Sequence, residues 1–174
     1  FGHHPDQRRV GLLIEFASGQ QLAQGLRVLG ATYAEELVRN GTEAARRILG
    51  EHSRIYHVDS TRCLVLLDES AIGGLEAVTE ILEAGLRDTI YCSGIPITPD
   101  PVIGVYIFRL GDVKNSRDVM RRLFNAADDA RKTVGQVAAY NEIGDRAHAR
   151  SFRLISDMHD ALADPDQSSL LYQP

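Results

Sequence analysis

A polar turn lies between two apolar segments near the middle of the chain and limits how the chain can fold. Residues 55–58 and 63–67 are strand-like apolar segments, and the polar residues 59–62 separate them. Short apolar segments joined by a polar turn of this length are typical of a β-hairpin. Hairpin strands pair antiparallel, so we expect an antiparallel sheet that contains both segments.

The hydrophobic pattern outside this hairpin predicts further strands and amphipathic helices. Residues 10–16 and 102–110 are nearly continuous apolar segments, which favours buried strands, and residues 137–140 add a short final strand. Apolar residues at helical spacing predict helices at residues 18–29, 32–49, 71–86 and 116–134. This order predicts an α+β fold of the split βαβ, ferredoxin-like type, in which helices flank an antiparallel sheet.

Polar and glycine residues predict where these helices begin and end. Ser18 and Ser116 are expected to cap the first and fourth helices, while Thr32 begins a capping-box sequence for the second. Gly41 is expected to interrupt or kink the second helix, because glycine weakens a helix interior. Residues 91–101 contain three prolines and are expected to form turns.

Composition excludes several classes of function. The 174 residues suffice for one self-sufficient domain plus an appendage. The net charge of −5 gives no broad basic surface, so we expect no nucleic-acid partner. No apolar segment reaches the roughly 18 residues of a membrane helix, so we expect no membrane contact. Cys63 and Cys92 lack metal-ligand spacing and predict neither a disulfide framework nor a metal site, which favours a reducing, cytoplasmic location.

The C-terminal part of the chain forms a separate element. Apolar residues recur at helical spacing across residues 145–162, which predicts a C-terminal linker helix. Their stripe is expected to contact a neighbouring domain or a second copy of the chain, although packing onto the preceding domain explains it equally well. The stripe consists of Phe152, Ile155, Met158 and Leu162.

Four local sequences, together with the order of the elements, resemble the GGDEF family of diguanylate cyclases. Residues 12–16 resemble its opening strand, 63–67 its F-x-V-L-L strand, 102–105 its S-I-G-I strand and 132–135 its A-K-x-x-G helix end. The resemblance covers roughly residues 10–140. It implies a palm-like fold and, in the family, the joining of two GTP molecules into cyclic di-GMP.

The end of the chain resembles the beginning of an EAL phosphodiesterase domain. Residues 170–174 read Leu-Leu-Tyr-Gln-Pro, and such domains often follow GGDEF domains and begin with a strand that ends in Y-Q-P. The resemblance implies an EAL domain of the same chain as a partner. It divides the chain into residues 1–9 as an N-terminal extension or expression remnant, 10–143 as the GGDEF-like domain, 144–167 as the linker helix and 168–174 as the first EAL strand.

The hairpin tip departs from the family pattern at the positions that support catalysis. The family's two glycines are replaced by Asp59 and Ser60, the metal-binding acid by Thr61, the next acid by Arg62 and the following aromatic by Cys63. Thr61 cannot replace a carboxylate as a charged ligand of a hard cation. Asp59 places a negative charge where the resemblance implies a phosphate, and like charges about 4 Å apart repel by a few kcal/mol. We therefore expect a degenerate domain with no catalytic residues and no metal.

Glu15 and Lys132 are the remaining candidates for contact with a nucleotide. Glu15 ends the first strand, where the resemblance implies a metal-binding acid, but a strand-end carboxylate that faces solvent or pairs with an arginine is the alternative. Lys132 matches the family's phosphate-contacting lysine, but cations are also favoured at helix ends without any ligand. Magnesium is expected only if GTP binding is retained.

These observations predict a catalytically inactive GGDEF-like regulatory domain in bacterial cyclic di-GMP signalling. It would modulate a following EAL phosphodiesterase domain through domain contacts or through formation of a homodimer. The alternative is an allosteric module that binds GTP or another nucleotide without turnover. Two further hypotheses are an active cyclase that depends on Glu15 and an unrelated scaffold that senses a small metabolite.

Overall fold

The computed structural model describes residues 6–50 and 53–163, without the side chains of residues 71, 148, 152 and 155–163. The chain divides into two compact units, residues 1–140 and 141–174. The helices of the first unit are α1 (Gly19–Leu29), α2 (Thr32–Leu49), α3 (Leu75–Leu86) and α4 (Ser116–Ala130). Its strands are β1 (Arg8–Glu15), β2 (Arg54–His57), β3 (Arg62–Asp68), β4 (Ile90–Cys92), β5 (Ile95–Ile97), β6 (Val102–Arg109) and β7 (Val137–Ala139). The second unit contains α5 (Glu142–Ala163).

Five strands of the described chain form one sheet in the order β2-β3-β1-β6-β7. The central strand β1 pairs antiparallel with β3 and with β6, and β2 and β3 form the predicted hairpin. The predicted palm-like α+β fold with helices beside the sheet and a C-terminal helix is confirmed. One strand differs from the purely antiparallel prediction, because α4 carries the chain across the sheet and β7 therefore pairs parallel with β6.

The central strand is buried on both of its faces. Leu12 and Ile14 belong to a core shared with α2 and α3, whereas Leu13 belongs to a second core shared with α4. Successive strand residues point to opposite faces, so one apolar segment supplies both cores. Continuous burial from Val10 to the end of β1 therefore holds the strand's last residue at a fixed place in the sheet.

Close packing of α4 against the sheet depends on a glycine of β6. A Cβ atom on Gly104 would lie 2.5 Å from the backbone nitrogen of Ala127 and 2.6 Å from the carbonyl oxygen of Leu123. No larger residue fits there unless the backbone moves. This contact brings the C-terminal end of α4 to the edge of the sheet where β1 ends.

The helix ends agree only in part with the sequence predictions. Ser18 caps α1 as predicted, since its Oγ accepts a hydrogen bond from the Gln21 backbone N–H at 3.2 Å. The capping-box prediction for α2 is wrong, because the Thr32 hydroxyl donates to the Leu29 carbonyl instead. The cap of α4 is Asn115 and not Ser116, and this helix ends at Ala130. Asparagine competes well with serine at this position.

The predicted interruption of α2 at Gly41 is also wrong, since the helix is continuous from Thr32 to Leu49. The glycine makes room for a neighbouring aromatic ring, because a Cβ atom on Gly41 would lie 2.4 Å from the ring of Phe16. Residues 91–101, predicted as turns, contribute to a small hairpin of β4 and β5. No helix in the described part of the chain is long and apolar enough to span a membrane.

Candidate functional site

The hairpin tip lies at the sheet edge where β1 ends. The register pairs Glu15 with Arg62 of β3 on one side and with Val102 of β6 on the other. The Phe16 backbone N–H also donates to the carbonyl oxygen of Thr61 at 3.1 Å. These pairings place the predicted candidate Glu15 beside the degenerate tip residues.

Arg62 lies between two carboxylates that come from different parts of the chain. Its Nε donates to Oε2 of Glu15 at 2.8 Å, and its Nη1 donates to Oδ2 of Asp59 at 2.9 Å. The guanidinium also lies over the ring of Phe124, 5.4 Å from the ring centre. Burial lowers the pKa of Arg62, but Glu15 and then Asp59 outweigh burial and raise it above its ordinary value. Arg62 therefore remains a fixed cation that joins the tip to β1.

A second arginine reaches the same buried carboxylate from α4. Arg131 follows the last residue of this helix and pairs with Oε2 of Glu15 and with Asp128. Glu15 is only 5% exposed, so two guanidiniums surround a carboxylate that has little contact with water. The alternative prediction that Glu15 pairs with an arginine matches this geometry. A buried charge without such partners would cost several kcal/mol.

Arg131 is a site residue that the sequence pattern does not predict. The signal available was a second basic residue directly before Lys132 at the predicted helix end. Cations near a helix C-terminus are common, so the sequence alone gave no reason to connect Arg131 with a strand more than a hundred residues away. The close packing of α4 against Gly104 makes this connection.

The Asp59 side chain accepts hydrogen bonds from residues of its own turn. Its Oδ1 accepts hydrogen bonds from the Thr61 backbone N–H at 2.9 Å and from the Thr61 hydroxyl at 3.2 Å, as in an Asx turn. Burial raises the pKa of Asp59, but these hydrogen bonds and the Arg62 guanidinium outweigh burial, so the pKa lies below its ordinary value. The carboxylate expected to repel a phosphate is therefore already paired with Arg62.

Two other predicted tip residues, Thr61 and Cys63, make contacts inside the folded domain. Thr61 is 7% exposed, and its hydroxyl and backbone amide both hydrogen-bond to Asp59. Cys63 is fully buried in the core, and burial raises the pKa of its thiol to about 12 against a smaller opposing effect of Thr42. Ser60 is exposed at the tip. Neither Thr61 nor Cys63 is placed to meet a substrate.

Lys132 contacts neither Glu15 nor Arg62 in the described part of the chain. The Lys132 Nζ lies 3.3 Å from Oδ1 of Asp129, one helical turn earlier, and the side chain is two-thirds exposed. This geometry matches the alternative of a helix-end cation. The side chains of the predicted contact stripe lie outside the description, namely Phe152, Ile155, Met158 and Leu162.

The residues around Glu15 do not suit a divalent cation. Hard cations prefer several carboxylate or carbonyl oxygens, whereas this carboxylate faces two guanidiniums, and Thr61 stands where the resemblance implies a metal-binding acid. Among the described residues, no three His, Cys, Asp or Glu side chains lie close enough together to hold a metal ion. The arrangement can pair charges and hold the hairpin in place, and we assign it no chemical step.

A cavity of about 630 Å³ lies beside the hairpin tip. It is bounded by α1, by α2 and by the tip. Its apolar lining comes mainly from Leu22, Leu26, Ala34 and Val38. Its polar lining comes from Glu35, Arg39, Thr42, Glu43, Arg46, His57 and Ser60.

Comparison with known proteins finds a similar sequence and similar solved structures. No protein-family model matches the chain. The sequence is 28% identical over 149 residues to the Cyclic di-GMP phosphodiesterase PA2567 of Pseudomonas aeruginosa. The match covers 86% of this chain and 25% of that protein, so the chain spans about a quarter of the relative's length.

Solved structures share the fold. The crystal structure of the GGDEF domain of the PA2567 protein has a TM-score of 0.67 and 26% identity, and the match covers 78% of this chain and 85% of that one. An EAL/GGDEF domain protein from M. capsulatus also has a TM-score of 0.67, at 15% identity, and the match covers 80% of this chain and 88% of that one. The resemblance found in the sequence is thereby confirmed, because the solved structures that share this fold include GGDEF domains.

Proposed function

We propose that this GGDEF-type domain is catalytically inactive and has a regulatory role in cyclic di-GMP signalling. The observation that carries the proposal is the position of Arg62, whose guanidinium bridges Glu15 and Asp59 at the tip. The resemblance implies a divalent metal at this place. A guanidinium supplies positive charge to the carboxylates, but it has no coordination position at which it could activate an attacking hydroxyl as a metal ion does.

Arg62 and Arg131 neutralise the buried Glu15 carboxylate, as a metal ion would otherwise do. A carboxylate as buried as Glu15 needs a cation, and Arg62 and Arg131 supply two. Their hydrogen bonds also hold the hairpin tip and the end of α4 against β1. The fold therefore keeps the arrangement of these elements without a metal ion, which supports retention of the domain for a role other than catalysis.

The regulated partner in this proposal is an EAL phosphodiesterase domain of the same chain. Two observations support it: the Y-Q-P sequence at residues 172–174 and the similarity to a relative named as a cyclic di-GMP phosphodiesterase. The domain would stabilise one of two states of its neighbour, through contacts or through a homodimer that involves α5. A domain that acts in this way needs a stable fold but no turnover.

The alternative function predicted from the sequence, binding of GTP without turnover, has less support from the geometry. Glu15 faces two guanidiniums, and Lys132 pairs with Asp129. Neither candidate contact is therefore arranged to receive a metal-bound triphosphate. The two functions differ in a direct measurement, since only the alternative requires that GTP bind to the domain.

The proposal is tested by incubating the 174-residue chain with GTP and magnesium or manganese and measuring cyclic di-GMP by chromatography. We expect no product above a protein-free control. Product formed by the wild-type chain and abolished by Glu15→Gln would overturn the proposal and favour an active cyclase. An active GGDEF domain assayed in parallel serves as the positive control.

A further inference from the structure

The last strand of the sheet, β7, is short and lies at the sheet edge. Among the described strands it pairs only with β6, over three residues. Its residues are half-buried or exposed. A strand of this kind opens more readily than a central strand, because few buried contacts oppose the opening. It therefore depends on other parts of the first unit to keep it in place.

An arginine of α4 holds the residue that follows β7. The central carbon of the Arg122 guanidinium lies 5.2 Å from the ring centre of Tyr140 and 5.2 Å from that of Tyr106. Its Nη1 also donates to the Tyr106 hydroxyl at 2.6 Å, and its Nε lies 2.9 Å from Oδ2 of Asp118. The Tyr140 backbone N–H donates to the carbonyl oxygen of Val105 at 2.7 Å. Tyr140 is thus held through both its ring and its backbone.

A second arginine holds the residue that precedes β7. Arg87 follows the last residue of α3, and its Nη2 donates to Oε1 of Gln136 at 3.2 Å. The Gln136 carbonyl oxygen accepts a hydrogen bond from the Ile103 backbone N–H at 2.9 Å. The backbone φ of Gln136 is 53°, a left-handed conformation that is unfavourable for a residue other than glycine. Such a conformation persists only while the surrounding contacts hold it, so it favours release of the strand once they are lost.

The chain passes from β7 into α5 through two residues that both make hydrogen bonds. Only Tyr140 and Asn141 separate the strand from Glu142, the first residue of α5. Tyr140 is the last residue of the first unit, and Asn141 is the first of the second. The Asn141 Oδ1 accepts a hydrogen bond from the Ile143 backbone N–H at 3.0 Å, as a helix cap does. A displacement of β7 therefore displaces the residue at which α5 is capped.

We propose that β7 is a releasable strand, held closed by Arg87 and Arg122, through which the first unit controls the start of α5. The closed strand fixes the point at which the chain leaves the first unit, and its release turns that point into a loose tether. Arg122 is a positioning residue in this device, since it acts on α5 only through Tyr140. The inference rests on the proposed regulatory function for its effect on a neighbouring domain, and it names the element that carries the effect.

The first test is amide hydrogen exchange of the 174-residue chain, followed by nuclear magnetic resonance at several urea concentrations. We expect the Tyr140 amide to exchange through a local opening, faster than the Leu13 amide of β1 and with a weaker dependence on urea. Arg122→Gln removes the cation between the two rings, so exchange at Tyr140 should become roughly tenfold faster. Arg122→Lys replaces this variant if it does not fold, because lysine keeps a charge beside Asp118 but lacks the planar group that lies over the rings.

Arg121→Gln is the matched control for the substitution of Arg122. Arg121 lies on the same helix and also pairs with Asp118, and its side chain is half exposed. We expect this substitution to change exchange at Tyr140 less than about twofold. Equal acceleration by the two glutamine substitutions would overturn the proposal. A wild-type Tyr140 amide with the same rate and urea dependence as that of Leu13 would also overturn it, because β7 would then open only with the whole unit.

The second test is cyclic di-GMP hydrolysis by the purified full-length protein, which separates this inference from the proposed function. We expect Arg122→Gln, but not Arg121→Gln, to change the rate in the same direction as deletion of residues 1–140. An effect of the deletion without an effect of Arg122→Gln would reject β7 as the route and retain the proposed function. No effect of either change would reject both.

Discussion

Arg62 is the residue that connects the hairpin tip with the central strand. It bonds to a carboxylate from β1 and to one from its own turn, and its planar group packs on an aromatic ring of α4. Lysine could not make these contacts together, because an ammonium lacks the planar fork and stacks poorly. The site therefore depends on arginine geometry as well as on charge.

Replacement of Arg62 by alanine should destabilise the chain. It leaves the 5% exposed Glu15 with Arg131 alone and removes the cation from Asp59. Breaking one partner of a buried pair costs about 3–5 kcal/mol, and the remaining guanidinium reduces the expected loss to roughly 2 kcal/mol. The measurement is the free energy of unfolding in urea.

Arg8→Ala is the control for this substitution. Arg8 pairs with Glu69 while its side chain is 50% exposed, so the expected loss is at most about 0.5 kcal/mol. Equal decreases in the free energy of unfolding for the two variants would contradict a stabilising role of the Arg62 pairs with Glu15 and Asp59.

Asp59 should make stability depend on pH in the acid range. Its pKa in the folded chain lies below its ordinary value, so its contribution is complete above the unfolded pKa of about 4. The contribution is lost as the pH falls through the lower folded pKa. We expect Asp59→Asn to be less stable than the wild type near neutral pH, with the difference shrinking below about pH 4. A difference that stays constant down to pH 2 would exclude this linkage.

The Cys63 thiol should be unreactive in the folded chain. It is fully buried, and burial raises its pKa to about 12, so almost no thiolate forms near neutral pH. In a Cys92→Ser background, a thiol-specific chromogenic reagent should react at pH 8 only after urea unfolds the chain. Rapid reaction under native conditions would place Cys63 outside the core.

The site is formed by β1, the hairpin of β2 and β3, and α4. The position of α4 determines whether Arg131 reaches Glu15. Its C-terminal end reaches Glu15 only because β6 carries Gly104 under the helix. The same packing puts the ring of Phe124 below the Arg62 guanidinium. Packing between a helix and a sheet thus decides which charges meet at the tip.

Gly104→Ala should disturb this packing. The added Cβ would lie 2.5 Å from a backbone atom of α4, which cannot move as a flexible side chain would. Overpacking costs about 1–3 kcal/mol or more, and here the Arg131–Glu15 pair should weaken too. Thermal unfolding measures the effect.

Gly19→Ala is the matched control for Gly104→Ala, because nothing lies within 4 Å of a Cβ atom placed there. Alanine is favoured over glycine in a helix, so we expect no loss of stability at Gly19. A tolerated Gly104→Ala would mean that α4 does not pack as closely on β6 as described.

The sequence predicts the elements better than it predicts the contacts between them. Strand and helix order follows from hydrophobic periodicity, and Ser18 caps α1 as local rules predict. Gly41 looked like a helix breaker because the ring of Phe16 that fills its space is distant in sequence. The pairing of Glu15 with an arginine was one of two alternatives, and Arg131 was missed because only tertiary packing brings it to β1.

The whole molecule has a first unit with the fold of GGDEF domains, and a C-terminal helix forms the second unit. The first unit resembles one domain of a relative of which the match covers 25%. We expect deletion of residues 1–140 from the full-length protein to change phosphodiesterase output or oligomeric state. Purified full-length and truncated proteins can be compared for cyclic di-GMP hydrolysis and for mass by light scattering. No change in either quantity would contradict a regulatory role.

The most direct measurement is the melting temperature of the 174-residue chain with and without GTP and magnesium. A ligand at 100 times its dissociation constant adds about 2.7 kcal/mol, which raises the melting temperature of such a domain by several degrees. We expect no shift for the wild type, because Arg62 and Arg131 already neutralise Glu15. A rise of several degrees that requires both GTP and magnesium, and that Glu15→Gln abolishes, would contradict the replacement of the metal by arginine.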